Sequence, residues 1–308
     1  MPDTFNIPNF DFQRTLNRTV LCEGIGLHSG LNIKMKIMPG EPNKGIIFIR
    51  NDINNSQEIS ASYKNVSDTK LGTTIVNEAG LKVRTVEHLM AAFMGLKVDN
   101  AIVILSGSEV PIMDGSSKVF VDLINKVGIK EQFIKRKIIK ILRKVAVYSG
   151  KSSIVAHASN DFTIDYRIEF KDPAIGIQKK KITLLGNNFD KEISSARTFG
   201  MLNEVQYMHK NGLALGGSIK NAIVVDNGKI INPEGLRFKN EFVRHKILDF
   251  CGDIFLSGRH FLGNISAVCA GHEINNEFLW ELFSDTSNYE EIESNNIIAM
   301  EEINVAVA

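Results

Sequence analysis

The sequence has few cysteines, no excess of either charge and no long apolar run, and each shortage excludes a class of protein. Its 308 residues include 3 cysteines, at positions 22, 251 and 269, with no C-x-x-C pair. This spacing argues against a disulfide framework or a thiolate zinc site and favours a reducing, cytoplasmic location. No stretch reaches the ~18–20 apolar residues that cross a bilayer. The segment "MPDTFNIPNFDFQRTLNRTV" lacks the basic start and apolar core of a signal peptide.

The charges are nearly balanced. Lys and Arg number 36 against 35 Asp and Glu, a net charge of +1. This balance gives no electrostatic reason to expect nucleic acid or an anionic membrane surface as a partner. The composition, 44% hydrophobic and 23% charged, is that of a globular protein, and the length favours two domains.

Two successive parts of the chain have the same order of predicted elements. In each, strands lead to a helix that carries a histidine, then to another strand and a closing helix. The histidine-bearing helices are "TVEHLMAAFMGL" (85–96), with Thr85 suited to the N-cap and Gly95 near the end, and "NEFVRHKILDFCGDIFLSG" (240–258). Strands mixed with helices in this way favour two α+β domains over a doubly wound parallel sheet. We predict a first domain over 1–134 and a second over 135–308.

The segment "GIGLHSG" (24–30) is rich enough in glycine to suggest a phosphate-binding loop. Its spacing is G-x-G-x-x-x-G, however, and a predicted strand follows it where a nucleotide fingerprint needs a helix. We therefore interpret it as a connection between strands, with His28 facing a cleft.

The helix "EFVRHKILDF" (241–250) contains polar side chains in an apolar setting. Buried polar or charged groups are costly unless they are paired, hydrogen-bonded or bound to a metal. His245 and Asp249 are four residues apart and share one helix face, which Asp253 continues. They can supply two of the three protein ligands of a catalytic zinc. A helix-stabilising His–Asp pair explains the same spacing.

Glu87 and His88 lie on the other histidine-bearing helix and are candidates for a proton acceptor and a third metal ligand. If the two helices face each other across the domain interface, His88 completes a set of two nitrogen ligands and one oxygen ligand. Glu87 then lies beside the open coordination position, where a carboxylate can take a proton from water. An isolated Glu-His pair on a helix surface is the simpler explanation of this dipeptide by itself.

Six collinear segments closely resemble the UDP-3-O-acyl-N-acetylglucosamine deacetylase family, the zinc amidases of lipid A biosynthesis in Gram-negative bacteria. They span about residue 12 to about residue 285 and read "GIGLHSG", "TVEHLMAAFMGLKVDNAIVILSGSEVPIMDGSS", "SARTFG", "GLALGGS", "GLRFKNEFVRHKILDFCGD" and "AGHEINN". The resemblance implies two similar two-layer α/β sandwich domains packed together, each with a small insert, with the active site at their interface. It also implies one zinc ion per chain, bound by His88, His245 and Asp249.

The same resemblance implies the reaction and the residues that carry it out. The N-acetyl group of UDP-3-O-[(3R)-3-hydroxyacyl]-N-acetylglucosamine would be hydrolysed to acetate and a free amine. Glu87 corresponds to the general base, and His272 or Glu87 would protonate the leaving amine. Asp253 corresponds to the partner that raises the pKa of His272, and Thr198 to the hydroxyl that steadies the oxyanion. By residue type alone, His272 would be a loop or core histidine and Thr198 a strand-end residue.

Substrate contacts also follow from the resemblance. Lys246 matches a lysine near the diphosphate, and Phe199 and Phe170 look like aromatic contacts of the sugar and uracil ends, although either suits a core. Residues 201–226 resemble an insert that takes the 3-O-acyl chain through an apolar tunnel, lined here by Leu202, Val205, Ala214, Gly217, Ser218 and Val224. Two positions depart from the family: Gly72 stands where some members carry a cysteine close to the metal, and Asp172 where a histidine often precedes the proline.

We expect a cytoplasmic monomer whose partner is a UDP-acylated amino sugar, with no nucleic acid partner, no transmembrane segment and only transient proximity to a membrane. Two alternatives stay open. A zinc amidase of this architecture acting on another N-acylated sugar would not need the apolar insert if that sugar carried no lipid. A non-catalytic nucleotide-sugar or protein-binding module would have no use for Glu87 and His272 beside three metal ligands.

Overall fold

The computed structural model describes residues 12–294. The first half contains helices α1 (Glu87–Leu96) and α2 (Lys118–Val127). Its strands are β1 (Phe12–Leu16), β2 (Val20–Ile25), β3 (Asn32–Pro39), β4 (Ile46–Arg50), β5 (Ile59–Ser60), β6 (Val66–Asp68), β7 (Thr74–Val76), β8 (Lys82–Val83), β9 (Ala101–Leu105) and β10 (Ile129–Lys135).

The second half contains helices α3 (Asn188–Glu192), α4 (Leu202–Lys210), α5 (Glu241–Ile254) and α6 (His272–Ser284). Its strands are β11 (Lys137–Ile141), β12 (Val145–Ser149), β13 (Ser152–His157), β14 (Phe162–Glu169), β15 (Ile177–Thr183), β16 (Phe199–Met201), β17 (Ile223–Asp226), β18 (Lys229–Ile230), β19 (His260–Val268) and β20 (Tyr289–Glu293).

The first half is built on a five-stranded sheet in the order β2-β3-β9-β4-β5. Its central strand β9 pairs antiparallel with β3 and parallel with β4. Ala101, Val103 and Leu105 are buried while the residues between them are partly exposed, the period-two pattern of a strand with one face on a core. In the chain, β9 stands between α1 and α2.

The second half repeats this arrangement in a seven-stranded sheet. Strand β19 pairs antiparallel with β13 and parallel with β14, and in the chain it stands between α5 and α6. The predicted likeness of the two halves and the α+β class are therefore confirmed. The domain boundary stays a prediction: β10 pairs back to β1, and β11 begins the second sheet.

Helices α1 and α5 pack against each other where the halves meet. Every side chain from Glu87 to Met94 is buried, as are most of those on α5. Gly252 makes this contact close, because a Cβ atom there would overlap the backbone carbonyl of Glu87. The two histidine-bearing helices thus meet at the position that carries the predicted catalytic base.

The segment 199–226 is a compact βαβ insert. Strands β16 and β17 are parallel and α4 connects them, as the sequence predicts for the short helix, turn and strand of 201–226. The glycine-rich turn rests on the segment 24–30: the amide of Gly216 donates to the carbonyl of Leu27 at 2.9 Å, and that of Leu215 to His28 at 3.3 Å.

None of the helices within residues 12–294 is long and apolar enough to cross a membrane.

Candidate metal centre and active site

The structure brings the three predicted metal ligands together between α1 and α5. One donor atom from each of His88, His245 and Asp249 lies within 4.8 Å of the others, and all three residues are buried. Asp249 Oδ1 lies 3.2 Å from His245 Nε2 and 3.5 Å from His88 Nε2. A tetrahedral zinc ion with bonds of about 2.0–2.1 Å separates its ligands by about 3.3 Å, so the spacing fits this ion.

The hydrogen bonds around the cluster also fit a cation. His245 Nδ1 donates to the carbonyl of Ala196 at 3.1 Å, which leaves a lone pair on Nε2. Burial lowers the pKa of His245 to about 3, so the ring is neutral at pH 7. Asp249 Oδ1 is buried without a hydrogen-bond partner. Two lone pairs that face each other in a buried site repel, and a metal ion between them removes that repulsion.

Asp249 is held ionised by its neighbours. Its Oδ2 atom accepts a hydrogen bond from Lys246 Nζ at 2.7 Å. Burial opposes ionisation, but the Lys246 ammonium group holds the pKa of Asp249 well below its usual value. Lys246, predicted to contact substrate, therefore also orients a predicted metal ligand.

Glu87 lies at the first residue of α1, next to the cluster. Its Oε2 atom accepts a hydrogen bond from the amide of Thr73 at 3.0 Å. Burial raises the pKa of Glu87 above its ordinary value, which brings a carboxylate closer to the range useful for taking a proton at neutral pH.

His272 begins α6 and is oriented by Asp253. Its Nδ1 atom lies 2.8 Å from Asp253 Oδ2. Although burial acts in the opposite direction, the Asp253 carboxylate raises the pKa of His272 to about 9, so the imidazole is cationic at pH 7. Asp253 in turn accepts hydrogen bonds from Thr73 Oγ1 at 2.6 Å and Asn275 Nδ2 at 2.8 Å.

Sequence reasoning missed Thr73 and Asn275. Asn275 is three residues after His272 and so shares its helix face, a signal that the sequence contains. Thr73 joins Glu87 and Asp253, to which it donates through its amide and its hydroxyl. Nothing in the local sequence around Thr73 indicates this double role.

The segment that carries Thr198 is fixed by a buried ion pair. Arg197, 2% exposed, donates from its backbone amide and its guanidinium to Glu241, which is fully buried at the start of α5. This contact places the Ala196 carbonyl on His245. Thr198 is the next residue, and its amide donates a hydrogen bond to the carbonyl of Gly115 at 2.7 Å. The role of Thr198 in binding the oxyanion stays a prediction.

A cavity of about 480 Å³ opens beside the cluster. Lys246 and Phe170 line it, and the centroid of the Phe199 ring lies 5.5 Å from that of Phe170 and 6.1 Å from that of His245. The other lining residues include Lys151, Lys171, Glu169, Asp172, Met201, Glu204 and Cys269. Two of the predicted contacts, Lys246 and Phe170, thus line one cavity, and the third, Phe199, packs against Phe170.

The six predicted acyl-passage residues lie in the insert, but their surroundings differ. Ala214 and Val224 are buried, Leu202, Val205 and Gly217 are partly exposed, and Ser218 is exposed. A Cβ atom at Gly217 would lie 3.1 Å from the Ala214 carbonyl and 3.6 Å from Leu27 Cδ1, in the space between the insert and the segment 24–30. The passage itself stays a prediction.

Gly72 and Asp172, the two departures from the family pattern, each contact a defined part of the structure. Gly72 has φ +149°, and a Cβ atom there would lie 2.9 Å from Glu87 Oε1, so a side chain would press on that carboxylate. Asp172 accepts hydrogen bonds from the amides of Ala174 at 2.8 Å and Gly228 at 3.1 Å. It therefore joins the turn between β14 and β15 to the turn between β17 and β18, just after the insert.

A buried three-ligand cluster, a carboxylate of raised pKa and a cationic histidine are the groups that a metal-dependent hydrolase needs. The fold and the site define the protein as one of this class.

Comparison with known proteins makes the assignment more specific. Residues 13–284 match the family model described as UDP-3-O-acyl N-acetylglycosamine deacetylase. A UDP-3-O-acyl-N-acetylglucosamine deacetylase of Shewanella sp. (strain ANA-3) is 40% identical over 281 residues, 91% of this chain and 92% of that protein. One of the same name from Syntrophus aciditrophicus (strain SB) is 43% identical over 278 residues, 90% and 88% of the two chains. The chain belongs to the UDP-3-O-acyl N-acetylglycosamine deacetylase family.

Proposed function

We propose that this protein removes the N-acetyl group from UDP-3-O-[(3R)-3-hydroxyacyl]-N-acetylglucosamine by hydrolysis, in lipid A biosynthesis. The observation that carries the proposal is the buried cluster of His88, His245 and Asp249 beside Glu87, in a chain of this deacetylase family. The amide bond of the acetamido group breaks, and the products are acetate and a free amine.

We propose that one zinc ion is bound by His88, His245 and Asp249. The support is the donor set of two nitrogens and one oxygen, the donor spacing and the Asp249 oxygen that has no hydrogen-bond partner. When bound, zinc acts as a Lewis acid that polarises a carbonyl group and makes water easier to deprotonate.

Glu87 takes the proton of the attacking water. Its raised pKa suits this task, and the Thr73 amide keeps the carboxylate pointed toward the cluster. Only one of its oxygens accepts the Thr73 amide, so the other is free to meet the water.

His272 donates a proton to the nitrogen that leaves as the amine. The support is its raised pKa and its fixed orientation on Asp253, which together keep the ring protonated near neutral pH. The Thr198 hydroxyl donates a hydrogen bond to the oxyanion as the tetrahedral intermediate forms. A donor of this kind is worth roughly 3–4 kcal/mol of transition-state stabilisation.

The substrate lies with its nucleotide end in the cavity of about 480 Å³. Lys151, Lys171 and Lys246 line this cavity and offer positive charge to a diphosphate, while Phe170 offers an aromatic face to a sugar or base. The acyl chain then extends along the insert 199–226, whose Met201 and Glu204 also line this cavity.

We further propose that the protein acts as a monomer in the cytoplasm and approaches membranes only transiently. The support for a reducing compartment is that Cys22, Cys251 and Cys269 are all free thiols.

Acetate release from the synthetic UDP-3-O-acyl sugar tests the function. Purified protein with one equivalent of zinc should release one acetate per free amine, and a metal chelator should abolish the reaction. Turnover of a different N-acylated sugar in preference to this one would favour the alternative amidase. Zinc binding with no acetate from either sugar would favour a binding module.

A further inference from the structure

Glu109 is a buried carboxylate for which the proposed reaction has no role. It is 1% exposed and lies in the loop between β9 and α2. Its Oε1 atom accepts hydrogen bonds from the amide of His28 at 2.8 Å and from Thr85 Oγ1 at 3.1 Å, and its Oε2 atom accepts one from the amide of Ser29 at 3.0 Å. All three donors are uncharged.

These contacts explain the glycine-rich segment 24–30. Its amides bind an anion, as such loops do, but the anion is a side chain of the same protein. A Cβ atom at Gly26 would lie 2.5 Å from Glu109 Oε2, so only glycine leaves room for the carboxylate there. The segment and Glu109 are therefore one structural unit.

The hydrogen bond from Thr85 to Glu109 connects this unit to the metal cluster through helix α1, and we call it the α1 arm. Thr85 stands two residues before Glu87 and has φ +56°, a conformation that a β-branched residue adopts only when its surroundings impose it. The hydrogen bond to Glu109 helps to impose it, together with the backbone bonds that Arg84 makes on either side of Glu109. The start of α1, with Glu87 and His88, is set by this turn.

The hydrogen bonds from the amides of His28 and Ser29 to Glu109 form a second arm, which connects the unit to the insert. Glu109 holds the amides of His28 and Ser29, and the carbonyls of Leu27 and His28 accept the amides of Gly216 and Leu215. The turn of the insert that is proposed to handle the acyl chain therefore rests on backbone that Glu109 fixes.

We infer that Glu109 is a positioning residue. It couples the placement of Glu87 and His88 to the placement of the segment 24–30, on which the acyl-binding insert rests. This inference rests on the proposed function only for the identity of the substrate. The hydrogen bonds of this one carboxylate fix both the turn at Thr85, before α1, and the segment 24–30 that supports the insert.

The test compares three variants. Glu109→Gln removes the negative charge that strengthens all three hydrogen bonds and turns one acceptor oxygen into an NH₂ group, so the contacts to Thr85 and to the segment 24–30 both weaken. We expect kcat to fall on the order of 10- to 100-fold, the cost of slight misplacement of catalytic groups. We also expect a reduced preference in kcat/KM for the acylated over the non-acylated UDP-sugar. In Thr85→Val only the α1 arm is cut, so kcat should fall for both sugars by the same factor while the acyl preference stays.

Thr15→Val is the matched control. Thr15 is equally buried and uses its hydroxyl to bind the Asn100 carbonyl and the Gly40 amide. This variant should lower Tm but leave kcat and acyl preference at wild-type values. If Glu109→Gln behaves like Thr15→Val, Glu109 supports the fold only and the inference is wrong. If Glu109→Gln does not fold, Thr85→Val decides, and a wild-type kcat there overturns the inference.

A spectroscopic measurement separates this inference from the proposed function. Protein loaded with Co²⁺ absorbs visible light according to the arrangement of its ligands, and it needs no substrate. Thr85→Val should alter the cobalt spectrum because it disturbs His88, while Thr15→Val should not. An unchanged spectrum in Thr85→Val overturns the α1 arm even if the wild type deacetylates the sugar. An altered spectrum supports that arm even if the wild type does not deacetylate the sugar.

Discussion

The two halves of the molecule share a topology but differ in what they contribute to the site. In each, a helix, a central strand and a second helix follow one another, and the central strand has both parallel and antiparallel neighbours. The first half contributes Glu87 and His88 from the start of α1. The second contributes His245, Asp249 and Asp253 from α5 and His272 from α6.

The loop after each central strand shows the difference most clearly. In the first half it carries Glu109, whose hydrogen bonds are all with uncharged donors of the same half. In the second half the corresponding junction carries His272, which is paired with Asp253 and is cationic at pH 7. The loop after β9 thus holds a carboxylate among uncharged donors, whereas α6, after β19, begins with the cationic His272.

The largest expected effect comes from removing a ligand of the second half. Asp249→Ala leaves two neutral histidines, which cannot balance a divalent cation in a buried site, so metal and activity should both be lost. Acetate release at saturating substrate measures this, with Asp165→Ala, an exposed aspartate on β14, as control. Near-normal turnover in Asp249→Ala would falsify the ligand assignment.

Glu87→Gln should have the next largest effect. The amide can still accept the Thr73 amide but cannot take a proton, so kcat should fall roughly 10²–10⁴-fold while metal content stays at the wild-type value. Single-turnover kinetics on metal-loaded protein checks this. A kcat within threefold of wild type (on the order of experimental scatter) would assign the base to another group.

His272→Ala tests the contribution of the second half to proton transfer. Activity should follow a bell-shaped pH profile: it falls as pH drops through the raised pKa of Glu87, and it falls as pH rises through about 9, where His272 loses its proton. The variant should lose roughly 10²–10³-fold in kcat and lose the alkaline limb. If the limb is unchanged, the proton comes from another group, with Glu87 the nearest candidate.

Asp253→Asn sharpens this test because it keeps the ring but removes the charge beside it. Without the carboxylate the pKa of His272 should fall below about 9, so the alkaline limb should move to lower pH. Loss of such an outer partner typically costs 10–100-fold. A limb that stays in place would mean that His272 does not set it.

The smallest expected effect concerns the βαβ insert of the second half. Gly217→Leu should fill the space near Ala214 and Leu27 and lower kcat/KM for the acylated sugar more than for UDP-N-acetylglucosamine. Each methylene removed from water is worth roughly 0.8 kcal/mol, so the loss should grow with chain length. Gly217→Ala is the control, with a small effect on both. Equal loss on both sugars would show that this turn is no acyl passage.

Helical periodicity was enough to predict part of this site. His245 and Asp249 share a face because they are four residues apart, and the pairing of Glu87 with His88 suggested which helix completes the set. The contacts that orient these groups were not predictable in the same way. Thr73 reaches Asp253 across 180 residues of sequence, and Arg197 reaches Glu241 across 44.

One local prediction was wrong. Thr85 does not cap α1, which begins at Glu87 with Val86 at the N-cap, because its hydroxyl bonds to Glu109 instead. A tertiary contact therefore outweighed a local preference. Gly95 does lie near the end of the helix, as predicted, one residue before Leu96. A Cβ atom at Gly95 would overlap the Phe189 ring, so the glycine there also serves packing between the halves.

We propose that helices from both halves bind one metal ion, α1 through His88 and α5 through His245 and Asp249. Metal content by mass spectrometry tests this proposal most directly, on wild type, His88→Ala and Asp249→Ala purified in parallel with added zinc. We predict one zinc per chain in the wild type, with loss from His88→Ala and from Asp249→Ala alike. A full equivalent of zinc in His88→Ala would contradict the proposal, because the metal would then belong to the second half alone.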